Sequence, residues 1–179
     1  MDDAARTEQD RLLDIMRNDL YVAVVSDVLD SIGLLNQAMD DRLRPLSPQM
    51  RLVGRAHTVM TAHISGRPED PSHSETAAVD ARKPGDVMVA DTNRSSRTCF
   101  WGELLSTAAT ARGATGCAID GHTRDALRIM EMGFPLFCTG FRPVDSSYRG
   151  TVVDHGCPVQ VGGVVVQAGD IIFGDFDGI

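Results

Sequence analysis

Lysine is almost missing from this chain. Of its 17 basic residues only Lys83 is a lysine, and it precedes the turn at Pro84-Gly85. Schiff-base chemistry needs a buried, desolvated amine, which a lysine beside an exposed turn does not supply. Any carbon–carbon lyase built on this sequence must therefore use a metal ion as electron sink. Paired cysteines are lacking too: Cys99, Cys117, Cys138 and Cys157 stand 18, 21 and 19 positions apart. No Cys-x-x-Cys unit points to zinc or redox exchange, and reduced thiols buried in or near strands are expected. No apolar run reaches the length that spans a bilayer. The acidic start, Met1-Asp2-Asp3-Ala4, is unlike a positively charged secretory leader. A cytoplasmic protein without a membrane partner is the expectation. Positive charge is in deficit as well. A net charge of −8 argues against direct nucleic-acid binding, because phosphate contacts need a basic face.

What is present fits one domain over residues 1–179. With 42% hydrophobic and 23% charged residues, the chain can bury a substantial core and is neither disordered nor membrane-like. Residues 7–18 place Leu12, Leu13, Ile15 and Met16 in a helical pattern. Ser26 and Asp27 read as caps of a short helix ended by Gly33, with Asp27 and Asp30 in structural roles. Residues 52–64 are rich in β-branched and apolar residues and predict a strand. His57 and His63 would lie on one face of it, about 20 Å apart by strand rise, too far to share a metal; both are assigned to structure. Residues 66–74 read as a loop, a candidate lid or subunit contact, and residues 74–82 as a short helix.

Pro84-Gly85-Asp86 turns into a strand at Val87-Met88-Val89-Ala90-Asp91. Ala168-Gly169-Asp170 turns into Ile171-Ile172-Phe173-Gly174-Asp175, with each aligned position 84 further along the chain. This predicts one turn-and-strand device used twice around a closed or nearly closed sheet. Residues 135–139 predict another strand, and the chain from Thr151 onward is strand-rich.

The chemistry is expected between Gly102 and Asp125. Glu103, Leu104 and Leu105 open a run of good helix formers, so its first N–H groups are free to face an anion. Gly113 closes that helix, Cys117-Ala118-Ile119 reads as a buried strand, and Asp120-Gly121-His122-Thr123 leads into a second helix at Arg124-Asp125. Arginine clamps a carboxylate through paired hydrogen bonds, and aspartate is a hard oxygen ligand for Mg²⁺. On their own, the same residues also fit a plainer reading, with Asp125 favouring a helix start and Arg124 in a surface ion pair. His122 is either a proton carrier or a solvent-facing turn residue. Arg94 and Arg97 either add charge to a dicarboxylate pocket or are solvated, and Trp101 is expected to anchor packing.

Glu103, twenty residues, then Arg124-Asp125 resembles the signature of class II pyruvate aldolases in the RraA-like family. Ser26-Asp27-Val28-Leu29-Asp30-Ser31, Gly54-Arg55-Ala56, Pro84-Gly85-Asp86-Val87, Trp101-Gly102-Glu103-Leu104-Leu105, Met132-Gly133-Phe134-Pro135 and Gly174-Asp175-Phe176-Asp177-Gly178 resemble family blocks in family order. The resemblance implies an α/β/β/α swivelling-domain fold, with a small barrel-like β core flanked by helices, assembled as a homotrimer or homohexamer. It implies cleavage of a 4-hydroxy-2-oxo diacid to pyruvate and a second oxo acid, together with oxaloacetate decarboxylation. The implied cofactor is Mg²⁺ or Mn²⁺ on Asp125. Arg124, Gly102 and the amides of Leu104 and Leu105 would bind the small 2-oxo acid, and Glu103 would handle a catalytic water. The family's usual C-terminal strand and helix are expected to be absent after Ile179.

The alternative implied by the same resemblance is a non-catalytic regulator that binds ribonuclease E; the acidic-x20-Arg-Asp pattern favours the enzyme. Methyl transfer, suggested by an old label for the family, lacks the glycine-rich loop after a strand that would bind the methyl donor.

Overall fold

The structure is a computed structural model that describes residues 3–66 and 73–179. Its helices are α1 (Asp3–Asp19), α2 (Val22–Ser31), α3 (His73–Ala81), α4 (Glu103–Ala111) and α5 (Ala126–Glu131). Its strands are β1 (Arg44–Pro45), β2 (Leu52–His63), β3 (Asp86–Asp91), β4 (Cys99–Trp101), β5 (Gly116–Ile119), β6 (His122–Thr123), β7 (Leu136–Cys138), β8 (Gly140–Phe141), β9 (Gly150–His155), β10 (Val159–Val161), β11 (Val164–Val166) and β12 (Ile171–Gly174). The loop expected over residues 66–74 falls, at 67–72, outside the described residues. No helix of the described residues is long and apolar enough to cross a membrane.

The main sheet runs β1-β7-β5-β3-β2-β12, and β9 also pairs with β2. Its centre, β2-β3-β5-β7, is parallel. The far edge of β2 is shared between two antiparallel partners, β12 along Leu52 to Arg55 and β9 along Val59 to His63. The result is a curled half-barrel flanked by helices, the mixed α/β class the sequence implied.

Strand alternation sorts the core into two halves. Met88, Ala90, Cys117 and Ile119 face α3, α4 and α5 in one cluster with Trp101, Ile129 and Phe134. Val87, Val89 and Ala118 face the other way, toward Leu43, Phe137 and the β10–β11 hairpin. Cys99, Cys117 and Cys138 are buried thiols in strands, as expected, and Cys157 is half-buried.

The two recurring turns are the same device. Lys83 N–H donates to the Asp86 carboxylate at 2.7 Å and Gln167 N–H to that of Asp170 at 2.8 Å. The turn glycines have φ of +88° and +95°, a region open to glycine at little cost. Strands β3 and β12 leave these turns on opposite edges of β2, one parallel and one antiparallel to it.

One boundary differs from expectation. Ser26 and Asp27 sit inside α2, whose N-cap is Tyr21, without a side-chain cap hydrogen bond. The apolar run from Val22 carries the helix a turn further toward the N-terminus than the polar pair suggested.

Candidate active site

Each of three parallel strands breaks at its carboxyl end and resumes as a short strand of a second sheet: β3 leads to β4, β5 to β6 and β7 to β8. These three pair in parallel, in the order β4-β6-β8. Trp101 is the register partner of Thr123, and Arg124 N–H donates to Trp101 C=O at 3.1 Å. The residues that follow the two strands, Gly102-Glu103 and Arg124-Asp125, are therefore neighbours despite twenty intervening positions. The sequence reading took His122-Thr123 for a turn. They form β6, and this second sheet is what brings the two tips together.

Gly102 precedes α4 in an extended conformation, φ −159°. Its backbone is open to any residue, but its space is not: a Cβ there would lie 2.8 Å from Asp125 Oδ2 and 3.1 Å from Arg124 Cγ. The first helical bond of α4 runs from Ser106 N–H to Gly102 C=O at 3.0 Å. The N–H groups of Glu103, Leu104 and Leu105 are thus the helix's orphan donors. Glu103's donates to Asp125 Oδ2 at 3.2 Å. Leu104 is 77% exposed, which leaves the start of α4 open to solvent.

Asp125 is the N-cap of α5 at φ 58° and ψ 27°, a left-handed conformation uncommon outside glycine and asparagine. The strained turn aims its carboxylate back at α4 rather than at its own helix, for which it provides no side-chain cap. Arg124 Nε stands 3.6 Å from Asp125 Oδ2, and Arg124 Nη1 stands 3.3 Å from Asp145 Oδ2. These are ion-pair distances without directed hydrogen bonds, so the donor fork of Arg124, about a third exposed, remains available to a ligand.

Asp145 was not found from sequence, nor were the two residues behind it. Ser146 O–H donates to Glu75 Oε1 at 2.6 Å. Burial, reinforced by Asp145, pushes the Glu75 carboxyl above its ordinary value, while the Ser146 hydrogen bond and Arg124 oppose it. For Asp145 burial acts upward but is outweighed by the Ser147 N–H and by Arg124, and the net shift is downward. The only sequence signal was the polar Asp145-Ser146-Ser147 after Pro143. Nothing local marks Glu75, an acid in the first turn of α3.

The remaining candidates fall elsewhere. Arg94 lies 3.6 Å from the buried Asp120 and 3.9 Å from Asp40. Arg97 is exposed. The ring of His122 packs against Gly140, where an added Cβ would stand 2.9 Å from Nε2, and its Nδ1 is buried without a partner. Trp101 is fully buried, donates to Ser106 Oγ at 2.8 Å and stacks on Phe134. His57 is buried beside His155.

Among the described residues no cluster of three or more His, Cys, Asp or Glu could cage a metal. Asp125 nevertheless suits a hard cation that keeps most of its waters. Its carboxylate is 39% exposed, and only Oδ2 is engaged by neighbours, which leaves Oδ1 free.

The chain that builds this half-barrel matches a family model, described as RraA-like: Aldolase/RraA, over residues 22–179. The chain belongs to that family. Among individual relatives, it is 29% identical to Protein DlpA of Legionella pneumophila over 158 residues, 88% of this chain but only 25% of DlpA. It is 32% identical over 155 residues to a protein of Halalkalibacterium halodurans named "Putative 4-hydroxy-4-methyl-2-oxoglutarate aldolase", covering 87% of this chain and 69% of that one. The crystal structure of Streptomyces coelicolor RraAS2, described as an unusual member of the RNase ES inhibitor RraA protein family, superposes with a TM-score of 0.79 at 28% identity. That match covers 92% of this chain and 80% of RraAS2.

Proposed function

We propose that this chain is a divalent-metal-dependent class II pyruvate aldolase. It cleaves a 4-hydroxy-2-oxo acid, with a diacid as the substrate implied by the family, and decarboxylates oxaloacetate by the same route. The observation that carries the reading is the contact of the two tips, with Glu103 N–H on the Asp125 carboxylate and Arg124 beside it.

In the cleavage, the C3–C4 bond breaks and its electron pair passes into the C2 carbonyl to give the enolate of pyruvate. The 4-hydroxyl proton leaves as C4 becomes a carbonyl, and a proton returned to C3 completes pyruvate. Decarboxylation forms the same enolate with loss of CO₂. Mg²⁺ or Mn²⁺ held by Asp125 and water would polarise the 2-oxo group as a Lewis acid. Arg124 presents its fork to the substrate carboxylate. The N–H groups of Leu104 and Leu105 stabilise the negative charge that develops on oxygen, aided by the positive end of the α4 dipole. Glu103, exposed at the mouth, handles a water that takes or returns the proton. Asp145 fixes the orientation of Arg124. By family resemblance the working assembly is a homotrimer or homohexamer.

The test is pyruvate release from oxaloacetate and from 4-hydroxy-2-oxo acids with Mg²⁺ or Mn²⁺, repeated with chelator. No release with metal present, or full activity in Asp125→Ala, overturns the proposal. A second reading, a protein-binding regulator, is favoured by the similarity to RraAS2. Unchanged capture of ribonuclease E by Arg124→Ala, together with absence of lyase activity, would select it.

A further inference from the structure

Behind the Arg124–Asp145 pair stands a hydroxyl with two acids in reach and one proton to give. Ser146 is 5% exposed. Its Oγ lies 2.6 Å from Glu75 Oε1 and 3.4 Å from Asp145 Oδ1. A hydroxyl carries a single hydrogen, and the shorter contact takes it, so the longer one is left without a proton. Asp145 is divided accordingly. Oδ1 receives Ser147 N–H at 3.3 Å, and Oδ2 faces Arg124 Nη1 at 3.3 Å.

The main chain around this hydroxyl is pinned. Ser146 C=O accepts the N–H groups of Arg149 at 2.7 Å and Gly150 at 2.9 Å, and Asp145 C=O accepts Thr98 O–H at 3.0 Å. Glu75 is held in the first turn of α3, where the neighbouring Ser74 Oγ meets Thr151 Oγ1 of β9 at 3.1 Å. What can still move is the hydroxyl torsion of Ser146 and the side chain of Asp145. Without Glu75 as acceptor, the buried O–H would be costly to leave unpaired, and it would turn to the Asp145 oxygen already at 3.4 Å. A hydroxyl–carboxylate bond closes to about 2.7 Å. Asp145 would be drawn toward Ser146 by about 0.7 Å on that scale, and its Oδ2 would be pulled off Arg124.

We propose that Glu75 is a positioning residue for substrate binding: by taking the Ser146 proton, it leaves Asp145 to hold the Arg124 fork where the substrate carboxylate docks. The inference rests on the reading of Arg124 as the carboxylate clamp of a pyruvate-releasing site, and adds to that site a residue that never touches the substrate.

The test uses Glu75→Leu, which keeps the bulk and removes the acceptor, alone and together with Ser146→Ala, which removes the proton in dispute. Two readouts are taken on the full chain with Mg²⁺: KM and kcat for pyruvate release from oxaloacetate, and calorimetric binding of oxalate, a mimic of the pyruvate enolate that needs no turnover. Glu75→Leu raises KM and the oxalate Kd about tenfold, the scale of one hydrogen bond to a charged group, while kcat stays within about twofold. Adding Ser146→Ala returns KM and Kd to within about twofold of the parent, whereas a purely structural Glu75 would leave the double variant at least as impaired as the single one. Glu75→Gln, whose amide oxygen still accepts, also keeps the parental values. Glu75→Met repeats the comparison if the leucine variant does not fold. A double variant no better than Glu75→Leu, unchanged KM and Kd in Glu75→Leu, or a loss in Glu75→Gln equal to that in Glu75→Leu overturns the inference. If the parent releases no pyruvate, the aldolase reading falls and the oxalate ratios alone decide this one; absence of both pyruvate release and oxalate binding overturns both.

Discussion

Replacing Gly102 by alanine isolates the contact on which the site depends. The residue is extended, at φ −159°, so alanine meets no backbone strain there. The added methyl would stand 2.8 Å from Asp125 Oδ2, 3.1 Å from Arg124 Cγ and 3.2 Å from Arg124 Nε. Ordinary contact begins near 3.4 Å, so the carboxylate must retreat by about 0.6 Å and carry Arg124 with it. Both side chains are partly exposed and can move without disturbing the core, so the stability cost is about 1 kcal/mol or less. Misplacement on this scale costs on the order of a hundredfold in rate when it affects groups that must be aligned. Gly102→Ala is therefore expected to fold with a thermal midpoint within a few degrees of the parent, while pyruvate release from oxaloacetate, followed through coupled NADH oxidation, falls by about that factor. Parental kcat/KM in a folded Gly102→Ala protein would refute the argument, since the methyl cannot be accommodated with both side chains in place.

Asp125→Asn keeps a residue that tolerates the left-handed turn but removes the charge. Activity should fall at least about a hundredfold, with a metal titration no longer saturating and the melting temperature little changed. Gly116→Ala should be severe in stability instead. At φ +155° its Cβ would collide with Leu52 Cδ1 and lie 2.7 Å from Pro135 C=O, for a loss of about 3 kcal/mol by urea denaturation. His57 is shifted downward from its ordinary 6.5, first by burial and then by His155. The unfolded chain takes up a proton near that value and the folded chain does so only at lower pH. Stability present above about pH 6.5 is therefore lost as pH falls below it. His57→Gln should flatten that part of the pH–stability curve.

The sequence carried the parts of this architecture that repeat a local rule. The twin Pro/Ala-Gly-Asp turns announced β3 and β12 because one carboxylate caps one turn in both places. A run of β-branched and apolar residues marked β2, and the helix formers after Gly102 marked α4. The second sheet was not legible, because β6 and β8 are two residues long and are strands only through their parallel neighbours. The Glu75–Ser146–Asp145 chain was hidden for a related reason: Glu75 is 71 positions from Ser146 and touches it only through tertiary packing. Arg94 looked like a site cation because its loop leaves β3 at the right edge. The left-handed turn at Asn93 and Arg94, with φ of 52° and 54°, sends its side chain to Asp120 instead.

One carboxylate both holds the first amide of α4 and faces the place where a ligand would sit, and this ties the local breathing of that helix to occupancy. The amide proton of Glu103 should exchange with solvent only as often as Oδ2 of Asp125 lets go of it. Whatever steadies that carboxylate slows the exchange, and whatever draws it away speeds it. A single backbone hydrogen thereby serves as a gauge of the site, readable in the resting protein without any turnover.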